Sequence, residues 1–159
     1  MRRHDHLHAD ARRRAAASRL PRWPLRLEGF EPRAYTLCST PDEGCYRITI
    51  KVLDNDRGAL SAQLAQCLHV GDEIEVSEPA GGFVLDDRET PVVMIAEGIG
   101  ITPMVAMLSE IATDHPLRRV HLIYSTKNGE HFPLQEETKN LIKLIPDSGM
   151  AVGYKARCN

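Results

Sequence analysis

A run of apolar residues from 91 to 96 gives way at Glu97 to Gly98-Ile99-Gly100, and Thr102-Pro103 follows at once. A strand that is apolar without alternation suits a parallel sheet covered on both faces. Two glycines then let the backbone turn tightly, and Thr102 with Pro103 offers an N-cap and a first-turn proline for a helix. Met104, Met107, Leu108 and Ile111 recur at helical spacing and mark that helix's buried side. Residues 120–124 read as a second buried strand, 135–144 as a second helix and 150–154 as a third strand. Strand alternating with helix predicts a doubly wound α/β unit with a parallel sheet.

Upstream of residues 87–90 the period is different. Leu25 and Leu27 alternate with charged neighbours, and residues 33–37 form a second candidate strand. Residues 45–53 alternate well, with Tyr46, Ile48, Ile50 and Val52 on one face and Arg47, Thr49 and Lys51 on the other. Residues 61–68 carry a short helical pattern, and 73–77 read as a strand. Antiparallel strands with one helix are the pattern of a small barrel. The chain thus divides into a barrel-like stretch over 23–88 and an α/β stretch over 89–159.

Residues 1–22 stand apart, with seven arginines against Asp5 and Asp10 and no aromatic residue. No apolar stripe gives this segment a packing face, so a disordered tail is expected, or translated sequence upstream of an unrelated start. Its Arg- and Ala-rich composition also matches a mitochondrial transit peptide. His4, His6 and His8 could weakly hold a metal, but no metal site is expected, since on a helix only His4 and His8 share a face and a disordered tail preorganises none.

Composition narrows the function classes. With 159 residues, 42% hydrophobic and 26% charged, the chain can build a core, yet no apolar run is long enough to cross a bilayer. A net charge of −2 argues against a dedicated nucleic-acid binder. Cys38, Cys45, Cys67 and Cys158 contain no C-x-x-C pair, so neither zinc nor an iron–sulfur cluster is expected. Without a secretory apolar region, reduced and mostly buried thiols in a cytoplasmic protein are the expectation.

Three short segments carry chemistry. Arg33-Ala34-Tyr35-Thr36 sets a guanidinium and a phenol two residues apart on one strand face, suited to a phosphate and a flat ring. The competing reading is a solvated edge strand. Gly58-Ala59-Leu60-Ser61 leads a glycine turn into a helix, where backbone N–H groups and the Ser61 hydroxyl suit an anion. An ordinary Ser61 N-cap would explain it equally well. Gly98 and Gly100, followed by a helix start, allow close approach of a pyrophosphate, although Pro103 departs from the full G-x-G-x-x-G pattern. No side chain stands out as a general acid or base, so no catalytic residue is assigned.

In this order, with Val70-Gly71-Asp72-Glu73-Ile74, Pro79-Ala80-Gly81-Gly82-Phe83 and residues 120–128, the segments resemble the ferredoxin–NADP reductase-like flavoproteins. The likeness is to the reductase modules of flavohaemoglobins and phthalate-type reductases, over about residues 24–155. It implies an FAD-binding barrel and a nicotinamide-dinucleotide domain, with hydride passing from NAD(P)H to FAD and electrons onward to a separate acceptor. By that resemblance Arg33 would bind the flavin pyrophosphate, Tyr35 flank the ring and Thr36 face its reactive nitrogen. Ile50 and Lys51 would lie along the ribityl chain, with Gly58 and Ser61 around the phosphate. Gly98, Gly100 and Thr102 would hold the dinucleotide, and Ser125 and Lys127 its adenosine ribose. Lys127 could also favour a 2′-phosphate as a point charge, although a solvated surface lysine explains it as well.

The chain also departs from that family. Strand material expected well ahead of Arg33 is reduced to residues 25–27, and the family's Cys-Gly-Pro segment with its C-terminal aromatic is not found before Asn159. Truncation at both ends is therefore expected, which leaves two other readings open: a non-catalytic binding subunit and an inactive gene product. Glu97 stands where the family has a small residue. A carboxylate about 4 Å from a phosphate costs about 4 kcal/mol at an effective dielectric near 20, if it points inward.

Overall fold

A computed structural model describes residues 6–9, 22–26, 31–52 and 60–155, with the first two stretches given as backbone strands. In chain order the elements are β1 (His6–Ala9), β2 (Arg22–Arg26), β3 (Arg33–Thr36), β4 (Tyr46–Thr49), α1 (Leu60–Cys67) and β5 (Glu75–Val76). Then follow β6 (Val92–Glu97), α2 (Ile101–Asp114), β7 (Val120–Thr126), α3 (Gln135–Leu144) and β8 (Gly149–Tyr154).

The first half is antiparallel. β1 pairs with β4, β2 lies between β3 and β5, and a Leu37–Ile48 bridge joins the β3 and β4 segments. β1 corrects the expected tail at residues 6–9: His6-Leu7-His8-Ala9 has the two-residue strand period, and a ladder to residues 46–49 satisfies its backbone. The remaining residues before Arg22 lie outside the described residues, as do Leu27, the turn at 54–58 and Cys158. Leu37, Ile48, Ile50, Leu60 and Leu64 form this half's core, with Tyr35 and Val52 against it.

On the predicted polar face of residues 45–53, Lys51 is exposed but Thr49 and Arg47 are not. Thr49 is buried, with its hydroxyl 3.4 Å from the Cys38 thiol. Arg47 turns toward α3, placing Nη1 2.7 Å and Nη2 2.5 Å from the two Glu137 carboxylate oxygens. Nη2 also donates to the Cys38 carbonyl at 2.8 Å. A distant carboxylate thus draws one residue of a surface-type alternation, Arg47, out of solvent. Burial pushes the Cys38 thiol up from its ordinary value. Cys67, expected inside, is exposed and donates to Gln63 Oε1 at 3.2 Å.

The second half is a parallel sheet in the order β6-β7-β8. After β6 and again after β7 the chain crosses to the next strand in the same direction. Right-handed crossovers put both helices on the same face. Met94, Ala96, Leu122 and Tyr124 pack there against Val105, Leu108, Ile111 and Ile142. The opposite face is uncovered among the described residues. Val93 is 62% and Ile95 71% exposed, so the strand predicted to be buried on both sides is buried on one. The parallel sheet and its helices fit the α/β part of the expected fold, with helix cover on one face among the described residues.

The join is held by a buried cation. Arg118 sits at 2% exposure, donating to the Thr90 carbonyl at 3.0 Å, the Asp86 carbonyl at 2.7 Å and Asp86 Oδ1 at 2.5 Å. A guanidinium so enclosed needs every one of those partners.

Candidate functional site

A cleft of about 600 Å³ opens between the two halves. Its volume suits a small-molecule ligand. Tyr35, Thr36, Ile50, Lys51 and Ser61 line one side, while Gly100 and Thr102 line the other. These seven residues, singled out by sequence from separate segments, meet in one place. Of the others, Arg33 is exposed at the start of β3, and Gly98 lies between the lining residues Glu97 and Ile99. Ser125 pairs in register with Glu97, and Lys127 is exposed just past β7. Gly58 lies outside the described residues.

The aromatic wall is oriented by a hydrogen bond: Tyr35 Oη and Ser61 Oγ are 2.8 Å apart. Ser61 is inside α1, one residue after Leu60, so its hydroxyl serves Tyr35 in place of the expected N-cap. The half-buried ring lines the cleft together with Thr36 and Thr49.

Across the cleft, Gly98 holds φ 53, a left-handed conformation that favours glycine. Tyr124, fully buried, donates from its hydroxyl to the Gly98 carbonyl at 2.9 Å and stacks at 4.2 Å between centroids on Phe132. Burial raises its phenol above the ordinary value. The turn is thereby pinned from the core of the sheet. α2 begins at Ile101 with Gly100 as N-cap, and Thr102 is already helical, its hydroxyl donating to the Ile99 carbonyl at 3.1 Å. Thr102 was expected as the cap; a glycine takes that place, and the hydroxyl satisfies a carbonyl of the turn instead. The positive end of the 14-residue helix α2 points at the cleft edge.

Two contributions lay beyond the residue assignments. Gly81, Gly82 and Phe83 close part of the cleft wall, and Gly81 has φ 141. Their signal was the Pro79–Phe83 segment, which sequence alone left without a role. Glu97 also lines the cleft, and its carboxylate is ion-paired with the Lys155 ammonium. Lys155, 58 positions away, carries no local signal of that contact.

Residues 94–156 match the family described as the oxidoreductase NAD-binding domain. The flavohemoprotein of Bacillus subtilis is 38% identical over 112 residues, covering 70% of this chain and 27% of the relative. That of Deinococcus radiodurans is 35% identical over 127 residues, covering 80% of this chain and 31% of the relative. The flavohem-like FAD/NAD-binding domain of nitric oxide dioxygenase from Vibrio cholerae superposes with a TM-score of 0.78 at 27% identity, covering 89% of this chain and 65% of that one. Ferredoxin–NADP+ reductase from Plasmodium falciparum shares the fold at a TM-score of 0.83 and 19% identity, over 97% of this chain and 64% of that one. The chain spans less than a third of these two curated relatives and about two-thirds of these two solved neighbours. Motifs, cleft and likenesses agree: the chain belongs to the ferredoxin–NADP reductase-like FAD/NAD-binding family, of which it carries a part.

Proposed function

We propose that the chain is the flavin-dependent NAD(P)H oxidoreductase part of a reductase, passing electrons from NAD(P)H through FAD to a further acceptor. The observation that carries this reading is a cleft to which both halves contribute: a tyrosine wall from β3 on one side, a glycine turn and helix start on the other. FAD supplies the chemistry when bound, accepting a hydride and releasing electrons singly. The protein's part is positional.

In this reading residues 23–88 form the flavin half, a partial barrel, and 89–159 the dinucleotide half. The lining suits a flavin chemically: a half-buried aromatic ring, a threonine beside it in β3 and a volume in the small-molecule range. Tyr35 would lie against the ring, Thr36 would offer a hydroxyl at its edge, and Arg33 would pair with the pyrophosphate. Ile50 and Lys51 would flank the chain between ring and phosphate, and Ser61 would serve the phosphate end, the role that the resemblance also assigns to Gly58. Gly98, Gly100 and Thr102 would hold the dinucleotide at the α2 end, and Ser125 and Lys127 would serve its adenosine ribose. No helix among the described residues is long and apolar enough to cross a membrane.

The test is direct. Protein purified with FAD should be yellow, and NADH or NADPH should bleach it anaerobically. Arg33→Ala should lower flavin occupancy. A colourless protein that binds no added FAD refutes the proposal; a yellow one that neither nucleotide bleaches limits it to flavin binding.

A further inference from the structure

We infer that Glu97 and Lys155 form a charge couple that sets how tightly the cleft holds an anionic dinucleotide, with Lys155 exchanging its carboxylate partner for a ligand phosphate. The inference rests on the function just proposed.

The three parallel strands end side by side. Glu97 is opposite Ser125, and Ser125 is opposite Gly153. Lys155 lies just past β8, and its backbone N–H donates to the Thr126 carbonyl at 2.9 Å. That bond fixes the root of the side chain at the sheet's carboxyl edge, the edge at which open α/β sheets bind ligands. From there the ammonium reaches across β7 to the Glu97 carboxylate. Glu97 lines the cleft directly before the left-handed turn at Gly98.

An unpaired carboxylate at this place would repel a diphosphate arriving at the α2 end. Lys51 is the other charged side chain among the cleft-lining residues, so Glu97 alone offsets the attraction that Lys51 gives. Lys155 removes that offset. Side-chain exposures of 63% for Glu97 and 54% for Lys155 make the exchange inexpensive, because neither charge is stranded in a dry interior when the pair parts. The carboxylate then faces water while the ammonium turns to the phosphate. A buried pair could not do this.

Opposite signs make the couple testable. Dissociation constants for NAD+ and NADP+, which do not react with oxidised FAD, are read by titration calorimetry on the intact chain with FAD present and compared for wild type, Lys155→Gln, Glu97→Gln and the double variant. Lys155→Gln should weaken both nucleotides roughly three- to tenfold, and Glu97→Gln should tighten them by a similar factor. The double variant should return to within about twofold of wild type, and the differences should collapse near 1 M salt, where screening acts over about 3 Å. Unchanged melting and flavin content keep the comparison on binding. Weaker binding by Glu97→Gln overturns the inference, since the carboxylate would then be a ligand contact. Variants that match a wild type able to bind overturn the couple alone. A wild type that binds neither nucleotide overturns the proposed function with it.

Discussion

Replacing Glu137 by Gln tests what holds the two halves at their present angle. Arg47 is 12% exposed and Glu137 35%, and two parallel N–H···O contacts of 2.7 and 2.5 Å join them across 90 positions of sequence. The Glu137 hydrogen bonds hold the guanidinium well above its ordinary value, against a burial effect that acts the other way. Breaking a fully buried pair costs about 3–5 kcal/mol. Here one partner is a third open to water and glutamine can still accept one N–H, so a cost of about 2 kcal/mol is expected. At about 2–4 °C per kcal/mol for a chain of this size, melting should fall by roughly 4–8 °C. The assay is a thermal or urea melt of wild type, Glu137→Gln, Arg47→Met and the double variant. The double should be less damaged than the sum of the singles by about 1–2 kcal/mol, because Arg47→Met removes the cation that Glu137→Gln strands. Flavin retention should fall in parallel, since the cleft needs both halves in place. A loss under about 0.5 kcal/mol for Glu137→Gln, or strict additivity, refutes the argument.

Three further outcomes follow from the geometry. The Arg118 hydrogen bond, and Arg88 after it, hold the Asp86 carboxyl below its ordinary value of 3.8. Its contribution is therefore present above that unfolded value and is lost as pH falls through the lowered folded value; Asp86→Asn should flatten this acid limb in melts taken between about pH 2 and 5. Gly98→Ala should cost about 1 kcal/mol, conformational in origin, because an added Cβ meets nothing within 4 Å at φ 53; a neutral melt would show the turn is not left-handed. Val93→Lys and Ile95→Lys should each shift stability by no more than about 0.5 kcal/mol, since both side chains already face solvent; losses near 2 kcal/mol in urea melts would mean that face is covered.

Much of the fold was legible because local pattern and long-range packing agreed in the second half. Helix α3 occupies the predicted residues 135–144, and β7 and β8 extend their predicted strands by a residue or two. Met104, Met107, Leu108 and Ile111 are buried as their spacing implied. Where prediction failed, the deciding partner was remote. Apolar residues at 91–96 specify a strand, yet the cover it receives depends on which way the chain crosses after β6 and β7. His6-Leu7-His8-Ala9 is four residues long, too short to outweigh the arginine-rich text around it, and becomes a strand by pairing with residues 46–49. Arg47 looks solvent-facing until Glu137 arrives from the other half.

The candidate site divides along the same line. Residues whose role depends on their own backbone, such as Gly98 and the start of α2, are readable in place because glycine tolerance and helix polarity are local properties. Side chains whose role depends on a partner are not. Ser61 is a plausible cap in isolation and proves to orient Tyr35, a residue 26 positions earlier. Glu97 is the sharper instance. Taken alone, its carboxylate argues against an anionic ligand, and the dielectric estimate makes that objection worth several kcal/mol. With Lys155 against it the local charge cancels, and exposure of both groups to water reduces what remains. The sign of an electrostatic argument at a site is set by the sum of charges brought there by the fold, so a single acidic position in a motif excludes a phosphate ligand only when no cation can reach it.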